Sequence, residues 1–428
     1  MELSKFELKT VGGVFSSELE EKISSGKVRV GIVGVGYVGQ ALTASLVESG
    51  IRTFGYDLDE SKYSRIEHKL FIGSKFIEEL ETCEVICICV PTPLDENKKP
   101  DLRFLQQAAQ ALSKFHTKNQ LIIIESTVAP GTTRNFVLPL LTLHGRRHEE
   151  DFFLAFSPER VDPGNAKFHL KNTPKIVGGL GKTAPQLTAA FYSKFVDEVV
   201  VTSSPEVAEL TKMLENSFRL VNVSFINEMK HYADAAGIDI WEAINAAATK
   251  PFGFLPHYPG PGVGGHCIPV DPVYLLEEAA SKNIDLPILK SAVLVNDLQP
   301  KKIVAAAKGL TNGRSDAKNK KMLLLGIAYK PDTADTRESP ALKIMVEAEK
   351  EGFEVNYFDP YVPKYNGFTS SILTRELVLE QDVIVIATHH QNIPYELFAD
   401  VDVPIIDTRN VLRQFKKDKV SFGEERLS

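Results

Sequence analysis

The glycine-rich segment GVGYVG constrains the fold of this 428-residue chain more than any other feature. It spaces Gly34, Gly36 and Gly39 as G-x-G-x-x-G, after a β-branched run and before a helical pattern that ends at Gly50. The first glycine permits a tight turn, the second lets the backbone approach a pyrophosphate, and the third allows close packing of helix on strand. A second strand pattern ends at Asp57, so the segment predicts a βαβ unit that binds a dinucleotide.

The acid at the end of the second strand indicates which dinucleotide binds. A carboxylate in this place accepts hydrogen bonds from a ribose 2′-hydroxyl, so Asp57 favours NAD over NADP. Tyr37 and Val38 lie in the first helical turn, where backbone N–H groups and the positive end of the helix dipole face the phosphates. We therefore expect NAD as the cofactor, bound by these three residues and the three glycines.

Strand and helix patterns alternate along the chain, which is typical of an α/β protein with parallel sheets. Residues 203–236 instead form one long helical pattern, and the alternation resumes after the linker TNGRSDAKNKK. The predicted fold class is α/β, with an N-terminal Rossmann domain, a central long-helix helical domain and a C-terminal Rossmann-like α/β domain. The predicted bounds are 1–27 for an N-terminal extension, 28–203 for the Rossmann domain, 204–308 for the helical dimerisation domain and 318–428 for the C-terminal domain.

Composition and charge limit the partners and the location of the protein. The formal net charge of −7 gives no support for nucleic-acid binding or for a basic membrane-binding surface. No apolar run approaches the roughly 18 residues that span a bilayer, and the N-terminus lacks the pattern of a signal peptide. We therefore expect a cytoplasmic protein with no nucleic-acid or membrane partner.

The segment GPGVGGHCIPVDP surrounds one cysteine, Cys267, with glycines and prolines. Such a loop makes the thiol accessible, and an accessible thiolate is a strong covalent nucleophile. Cys83, Cys87 and Cys89 lie together in an apolar strand pattern instead, with spacings unlike those of zinc ligands, so we expect them to be buried and predict no metal site.

Two residues of the same loop could assist the thiol. His266 is adjacent to Cys267, but neighbouring side chains in an extended loop point to opposite sides, so a Cys–His pair is the weaker alternative. Asp271 can order a water molecule or accept an alcohol proton. It could also only stabilise a turn before Pro272.

The long helical pattern carries a further polar group. Lys212 and Asn216 are four residues apart and share a face, so an ammonium and an amide could donate hydrogen bonds to a developing oxyanion. Glu209 lies one turn earlier on this helix. Taken alone, these residues could equally be ordinary surface positions.

Loops at the carboxyl ends of strands supply the remaining candidates, since α/β sheets place ligands there. The segment SPERVDPG follows the strand FFLAF and carries Glu159 and Arg160. Thr92 in VPTP and Thr127 in ESTV hold similar positions, and we expect both to contact the cofactor.

Together these segments resemble the UDP-glucose/GDP-mannose dehydrogenase family of four-electron nucleotide-sugar 6-dehydrogenases. The resemblance extends from about residue 28 to residue 410, and the motifs occur in family order: GVGYVG, VPTP, ESTV, SPERVDPG, AELTKMLEN, GPGVGGHCIPVDP, GIAYKPDTADTRESP and DTRN. It implies that NAD oxidises a sugar C6 alcohol to the uronate in two steps. It also implies that the C-terminal domain binds a UDP-sugar.

The resemblance assigns catalytic roles to the candidates. Cys267 would trap the intermediate aldehyde as a thiohemiacetal, and the second oxidation would give a thioester. Lys212 and Asn216 would stabilise oxyanionic intermediates, and Asp271 with an ordered water would manage the alcohol proton. Glu159 would assist thioester hydrolysis.

It likewise implies a set of binding residues. Thr127 would help hold the catalytic water, and Arg337 would reach the cofactor from the C-terminal domain. UDP-glucose dehydrogenases usually carry a second glutamate four residues after the first, where this chain has Pro163. This departure argues against UDP-glucose as the substrate and leaves the role of that acid unfilled. The residues expected to bind the UDP-sugar are Glu159, Arg160, Lys212, Asn216, Phe252, Gly253, Tyr258, Gly264, Tyr329, Lys330 and Arg409.

The sequence of residues 247–272 is most similar to that of UDP-N-acetylglucosamine 6-dehydrogenases, which feed bacterial surface-polysaccharide synthesis. UDP-N-acetylglucosamine is therefore the expected substrate. UDP-N-acetylmannosamine, UDP-N-acetylgalactosamine and UDP-glucose remain as alternatives. The long helix also predicts a homodimer through the central domain.

Two other classes of protein remain open at this stage. A two-electron hydroxyacid dehydrogenase would explain Lys212 and Asn216 but not Cys267 or a third domain. A non-catalytic NAD-binding protein would retain its function without the thiol.

Overall fold

The computed structural model describes residues 16–161, 165, 167–312 and 320–415. The chain divides into two compact units, which are described separately below. The first unit comprises Met1–Glu215 and Val273–Asn283, and the second comprises Asn216–Pro272 and Ile284–Ser428. The boundary falls inside the long helix, and the predicted domain bounds stay a prediction.

The helices and strands largely follow the sequence patterns. The helices are α1 (Ser16–Ser24), α2 (Tyr37–Glu48), α3 (Arg103–Leu112), α4 (Leu138–Leu141), α5 (Thr183–Tyr192), α6 (Pro205–Ala236), α7 (Ile240–Ala248), α8 (Asp271–Ser281), α9 (Pro287–Thr311), α10 (Pro340–Lys350) and α11 (Arg375–Leu379). The strands are β1 (Arg29–Val33), β2 (Arg52–Tyr56), β3 (Phe71–Ser74), β4 (Val85–Ile88), β5 (Gln120–Ile124), β6 (Phe152–Phe156), β7 (Lys175–Gly179), β8 (Val199–Val201), β9 (Lys320–Leu325), β10 (Phe353–Phe358), β11 (Lys364–Tyr365), β12 (Phe368–Thr369), β13 (Val383–Ile386) and β14 (Ile405–Asp407).

The first unit is built on an eight-stranded sheet in the order β3-β2-β1-β4-β5-β6-β7-β8. Every neighbouring pair is parallel except β6 and β7, which are antiparallel. All residues of β4, β5 and β6 are buried, because helices cover both faces of a parallel sheet and leave no solvated side. The expected Rossmann arrangement of the N-terminal half is confirmed.

The α1 helix belongs to the core of the first unit, although the sequence predicted only an extension for residues 1–27. In α1, Leu19 and Ile23 are buried in the hydrophobic cluster that covers one face of the first sheet. The helix packs on α5, and the Lys194 ammonium donates to the Ser24 carbonyl oxygen. A helical pattern of only nine residues is too short to predict this packing from the sequence.

The second unit contains a four-stranded parallel sheet in the order β10-β9-β13-β14. Its first turn repeats that of the first unit, as the order of sequence patterns predicts. Gly34 N–H donates to the Tyr56 carbonyl at 2.8 Å, and Gly326 N–H donates to the Phe358 carbonyl at 2.8 Å. In each case the first glycine turn is tied to the end of the next strand.

The helical part of the second unit consists of α7, α9 and the greater part of α6. The α6 helix contains 32 residues and confirms the long helical pattern. Among the described residues, none of the helices combines the length and apolar character needed to cross a membrane.

Replacing Ile23 by alanine tests whether α1 belongs to the folded core. We expect the free energy of unfolding to fall by about 2–5 kcal/mol, because a fully buried side chain leaves a cavity. Urea unfolding followed by circular dichroism measures the loss. The control is Glu21→Ala at an exposed position of the same helix, which should change it by less than about 0.5 kcal/mol. Equal effects of the two variants would contradict the packing of α1.

Candidate functional site

The three glycines of GVGYVG have the separate roles that their spacing predicts. Gly34 has φ +94°, and a Cβ there would lie 2.8 Å from backbone atoms of Cys89. A Cβ on Gly39 would overlap the carbonyl oxygen of Gly34, whereas one on Gly36 would meet no atom within 4 Å. Gly36 caps α2 without a side-chain hydrogen bond. The turn therefore has open space in front of the helix N-terminus, as a cradle for a pyrophosphate requires.

The carboxylate of Asp57 lies at this turn, as predicted. Its Oδ2 accepts a hydrogen bond from Val35 N–H at 2.8 Å, which ties the turn to the end of β2. Its Oδ1 accepts from the Lys62 ammonium at 3.1 Å. Sequence reasoning missed Lys62, because its approach depends on the short helical turn at residues 60–62 that follows β2.

The loops after β4 and β5 are joined at the same edge of the sheet. The Thr92 hydroxyl donates to the Thr127 carbonyl oxygen at 2.8 Å, so the two predicted threonines are neighbours. The Tyr274 hydroxyl donates to the Thr92 carbonyl at 3.0 Å. Both threonines therefore lie where the carboxyl ends of parallel strands place ligands.

Glu159 lies in the loop after β6, and both its carboxylate and its carbonyl oxygen accept hydrogen bonds. The Glu159 carboxylate accepts from the N–H groups of Arg160 and Val161 at 2.7 and 2.6 Å. Its carbonyl oxygen accepts from the Lys212 ammonium at 2.6 Å. The structure thus brings Glu159 and Lys212 together. Residues 162–164 and 166, including the Pro163 position of the missing acid, lie outside the described residues.

Arg160 is held by contacts within the first unit. Its guanidinium donates to the Pro174 carbonyl at 2.5 Å and pairs with the Glu215 carboxylate at 2.6 Å. Any contact of Arg160 with a substrate would have to coexist with this ion pair.

A buried ionic cluster that the sequence analysis did not identify lies beside Glu159. Lys175, Glu125 and Tyr192 are each at most 2% exposed. The Lys175 ammonium pairs with the Glu125 carboxylate at 2.6 Å, and the Tyr192 hydroxyl donates to the same carboxylate. The signals in the sequence are the charged residue that opens the apolar strand KIVGG and the acid of the ESTV segment, since charges in such runs are rarely buried unless paired.

Glu209 does not accompany Lys212 as a free polar group. It is fully buried, and its carboxylate accepts from the backbone N–H groups of Gly131 and Thr133. Burial raises its pKa to about 7. Glu209 therefore fastens the loop after β5 to α6.

In the second unit, the loop of Cys267 ends in a tight turn into α8. The carbonyl oxygen of Cys267 accepts from Val270 N–H at 3.1 Å and from Asp271 N–H at 2.8 Å. The Cys267 side chain is exposed, as predicted. The turn fixes Asp271 one helical turn beyond the thiol.

Asp271 is only 2% exposed. The Asn216 amide of α6 donates to its Oδ2 at 2.5 Å. Two predicted catalytic residues are thus brought into direct contact, and the amide orients the carboxylate. Asp271 also opens α8, so the alternative in which it stabilises a turn is compatible with this role.

Several glycines of this loop are required by neighbouring side chains. A Cβ on Gly264 would lie 2.9 Å from the Tyr329 Cβ, and one on Gly265 would lie 2.8 Å from the Tyr329 ring. Gly265 also has φ +82°, and its N–H donates to the Arg337 carbonyl at 3.0 Å. The glycines therefore let the segment after β9 pack against the cysteine loop, in addition to exposing the thiol.

This packing brings Gly264, Tyr329, Lys330 and Arg337 into one region. The Lys330 ammonium lies 5.7 Å from the centre of the Tyr329 ring. The Arg337 guanidinium forms an ion pair with the Asp335 carboxylate at 2.6 Å. Burial lowers the pKa of His266, the weaker alternative as partner of the thiol, and nearby Arg337 lowers it further.

Arg409 follows β14 and lies against the start of the cysteine loop. Its Nε donates to the Ala387 carbonyl at 2.9 Å, and a Cβ on Gly260 would lie 2.7 Å from its guanidinium. Burial lowers its pKa to about 10, which leaves the group charged at neutral pH. A cation held in this way suits a phosphate or a carboxylate.

The predicted sugar-contacting segment from Phe252 to Tyr258 lies on the surface of the second unit. Phe252 is 71% exposed and lies beneath the Lys250 ammonium. Tyr258 stacks on Trp241 with ring centres 5.5 Å apart. Gly253 belongs to a groove of about 420 Å³ whose other lining residues are Phe218, Asn222, Phe225, Ile226, Phe254, Leu255 and His257.

The predicted residues thus form separate groups in the two units. The first unit holds the dinucleotide turn with Asp57, the two threonines, and Glu159 with Lys212. The second unit holds the cysteine loop with the Asn216–Asp271 pair, the segment after β9, and Arg409.

The chain also matches known proteins. Three profiles of the UDP-glucose/GDP-mannose dehydrogenase family match the chain, namely the NAD binding domain over residues 63–196, the central domain over residues 206–298 and the UDP binding domain over residues 323–414.

Individual relatives cover nearly all of the chain. A UDP-N-acetyl-D-mannosamine dehydrogenase of Pyrococcus horikoshii is 33% identical in an alignment of 417 positions that covers 90% of this chain and 96% of that protein. A UDP-N-acetyl-D-glucosamine 6-dehydrogenase of Pseudomonas aeruginosa is 32% identical in an alignment of 356 positions that covers 78% of this chain and 83% of that protein. The solved structure of a UDP-N-acetyl-mannosamine dehydrogenase from Staphylococcus aureus has a TM-score of 0.77 at 27% identity, with 92% and 97% of the two chains covered.

Thiol reactivity tests the exposure of Cys267. Burial raises the pKa of Cys83 to about 12 and that of Cys87 and Cys89 well above the usual range, so these thiols should resist an aromatic disulfide reagent. We expect one of the four thiols to react rapidly in the native protein and all four in denaturant. Cys267→Ser should abolish the rapid phase. A rapid phase that persists in this variant would show that another cysteine is accessible.

Proposed function

Because the chain belongs to the UDP-glucose/GDP-mannose dehydrogenase family, it is an NAD-dependent UDP-sugar dehydrogenase, and we propose that it oxidises the C6 hydroxyl of a UDP-N-acetylhexosamine to the uronate through Cys267. The observation that carries the proposal is the exposed Cys267 thiol, one helical turn from a buried Asp271 that Asn216 orients.

The thiol retains the substrate between the two oxidations. When bound, NAD supplies the acceptor for the hydride that leaves C6. The Cys267 thiolate adds to the aldehyde carbon, forming a C–S bond, and the oxygen becomes a thiohemiacetal hydroxyl. The thiohemiacetal then loses its hydroxyl proton and a second hydride, which a second NAD would accept, and a thioester remains. Water then adds to the carbonyl carbon, the C–S bond breaks, and the uronate and the thiol are released.

The polar neighbours move protons and stabilise charge in this scheme. Asp271, with a water molecule, accepts the proton of the C6 alcohol, and Asn216 fixes the carboxylate for this task. Lys212 and Asn216 donate to the oxyanion as it develops. Glu159 takes a proton from the attacking water, which Thr127 helps to hold.

The binding residues divide between the two ligands. The turn at Gly36, which has no side-chain cap, would bind the cofactor pyrophosphate together with Tyr37 and Val38. Asp57 would accept hydrogen bonds from the adenine ribose. Thr92 contacts the cofactor from the next loop, and Arg337 reaches it in its pair with Asp335.

The UDP-sugar is assigned to the second unit and to the Glu159 loop. Arg409 and Lys330 supply charge for the diphosphate, and Tyr329 and Gly264 line the adjoining loop. Arg160 lies next to Glu159 in the loop of the first unit. Phe252, Gly253 and Tyr258 contact the sugar from the segment after α7.

The sugar is proposed as an N-acetylated hexose with the gluco or manno configuration. The sequence of residues 247–272 favours UDP-N-acetylglucosamine, but two of the three relatives described above are named UDP-N-acetylmannosamine dehydrogenases. We therefore place UDP-N-acetylmannosamine first, and UDP-N-acetylglucosamine, its C2 epimer, second. UDP-N-acetylgalactosamine and UDP-glucose follow.

The proposed enzyme is a homodimer through α6. Phe218, Phe225 and Tyr232 are 50%, 54% and 66% exposed, and their spacing of seven residues keeps them on one side of the helix. Phe218 and Phe225 also line the apolar groove beside residues 253–257. Exposed apolar surface of this kind marks an interface, and a second copy of the same helix matches the stripe by symmetry.

Counting NADH for each sugar tests the reaction and the substrate together. We expect two NADH per molecule of UDP-N-acetylmannosamine consumed, with slower or no reduction of NAD by UDP-N-acetylglucosamine, UDP-N-acetylgalactosamine and UDP-glucose. Absorbance at the NADH band and chromatography of the uronate provide the two counts. One NADH per substrate would contradict the four-electron reaction. Oxidation of UDP-glucose alone would contradict the hexosamine assignment.

Replacing Cys267 by serine tests the covalent step in the same assay. We expect turnover to fall by at least about a thousandfold while NAD and UDP-sugar still bind, since the thiol acts only after the first oxidation. Calorimetry measures binding. Cys83→Ala, which removes a buried thiol, serves as the control and should retain turnover. Full activity of the serine variant would eliminate the thioester route.

Replacing Phe225 by aspartate tests the dimer. We expect this charge on the apolar stripe to yield monomers in light scattering coupled to size-exclusion chromatography. Arg219→Asp, at an exposed position on another side of α6, should leave the dimer intact. A wild-type protein that is monomeric would refute the assignment, as would a Phe225→Asp variant that stays dimeric.

A further inference from the structure

The buried cation Lys175 lies at the point where the Glu159 loop leaves the first sheet. It opens β7 and is 2% exposed. Its ammonium pairs with the Glu125 carboxylate at 2.6 Å and donates to the carbonyl oxygen of Pro158 at 3.1 Å. Pro158 is the residue directly before Glu159. The Lys175 ammonium is therefore bonded to the backbone that carries the proposed hydrolytic base.

The same ammonium also faces the Glu159 carboxylate. The distance from Lys175 Nζ to Glu159 Oε2 is 3.9 Å, within the range of an ion pair. The other carboxylate oxygen, Oε1, accepts from the N–H groups of Arg160 and Val161. One oxygen is thus fixed by the loop backbone, and the other lies beside the cation.

Lys175 is a single buried cation between two carboxylates. Glu125 and Glu159 both lie within 4 Å of its Nζ, so the ammonium offsets negative charge that would be costly to leave unpaired at this site. Burial lowers the pKa of Lys175, but the charges of Glu125 and Glu159 outweigh it, so its pKa is raised and the group remains an ammonium. The other ionisable groups facing it are Tyr192, Cys87 and Cys89, which burial keeps neutral by raising their pKa values.

We propose that Lys175 is a positioning residue for thioester hydrolysis, which holds the Glu159 loop through the Pro158 carbonyl and orients the Glu159 carboxylate from its open side. The inference rests on the proposed function, because it concerns the step in which Glu159 takes a proton from the attacking water and the C–S bond to Cys267 breaks. Lys175 itself touches neither the substrate nor the cofactor in this scheme. Its effect should therefore be confined to hydrolysis of the thioester.

The test compares wild type with Lys175→Met, which keeps the length of the side chain and removes its charge. Stopped-flow absorbance records the NADH burst, acid quenching with mass spectrometry records the thioester on Cys267, and a steady-state assay records turnover. We expect an unchanged burst, turnover lowered at least about tenfold, and thioester accumulated on Cys267.

Two further variants separate positioning from stability. Lys175→Arg keeps the charge and should release the thioester at close to the wild-type rate. Arg146→Met removes another buried cation of the first unit, one that donates to Leu112 and Gln120, and should destabilise the fold without accumulating thioester. If Lys175→Met fails to fold, Lys175→Met combined with Glu125→Gln removes the unpaired buried acid, and this double variant should still accumulate thioester.

The opposite results are equally specific. Lost turnover without accumulated thioester in Lys175→Met would overturn the positioning role, as would thioester that accumulates on Cys267 in Arg146→Met. The proposed function fails separately if wild type never forms a thioester on Cys267 or if Cys267→Ser remains active. A wild type that forms the thioester, together with a Lys175→Met variant that releases it normally, would reject Lys175 alone.

Discussion

Parallel strands that are buried on both faces can carry polar chemistry only at their ends, and this constraint organises the first unit. The strands β1, β4, β5 and β6 run parallel, so the segments that follow them meet at one edge of the sheet. The glycine turn, the two joined threonines and the Glu159 loop all lie along it. Their positions follow from the register of apolar strands.

The edge is stabilised by groups that take no direct part in the chemistry. Glu209 fastens the loop after β5 to α6, and the pair of Lys175 and Glu125 lies beneath the Glu159 loop. Buried charges are costly unless they are paired or hydrogen-bonded. Because these groups bond to the backbone of the loops, they hold in place the segments that carry the candidate residues. In the second unit, Tyr329 has the same effect on the cysteine loop through the glycines that it packs against.

Features set by local rules could be predicted from the sequence. The dinucleotide turn, the strand runs, α6 and the exposure of Cys267 follow from glycine spacing, apolar periodicity and the richness of one loop in glycine and proline. The contacts of Lys62 with Asp57, Lys175 with Glu125 and Asn216 with Asp271 could not be predicted in this way. Each joins residues whose proximity depends on the packing of separate elements, and neither partner alone signals the other. Glu209 shows the same limit, because its position on a helix did not reveal which loop it caps.

The corresponding turn in the second unit differs from the first in the hydrogen bonding of its acid. Asp359 occupies the place of Asp57, but it is 1% exposed, and its oxygens accept from the N–H groups of Ile327, Ala328, Tyr361 and Val362. Its Oδ2 also lies 3.1 Å from His390 Nε2.

An acid bonded in this way is a structural clamp with no capacity left for a ribose. The second turn therefore lacks the kind of ribose site that Asp57 offers in the first. If the proposed oxidation uses two NAD molecules, they would then bind one after the other at the Asp57 turn. In that scheme the aldehyde would have to remain bound during the exchange, and a covalent bond to the sulfur of Cys267 would retain it.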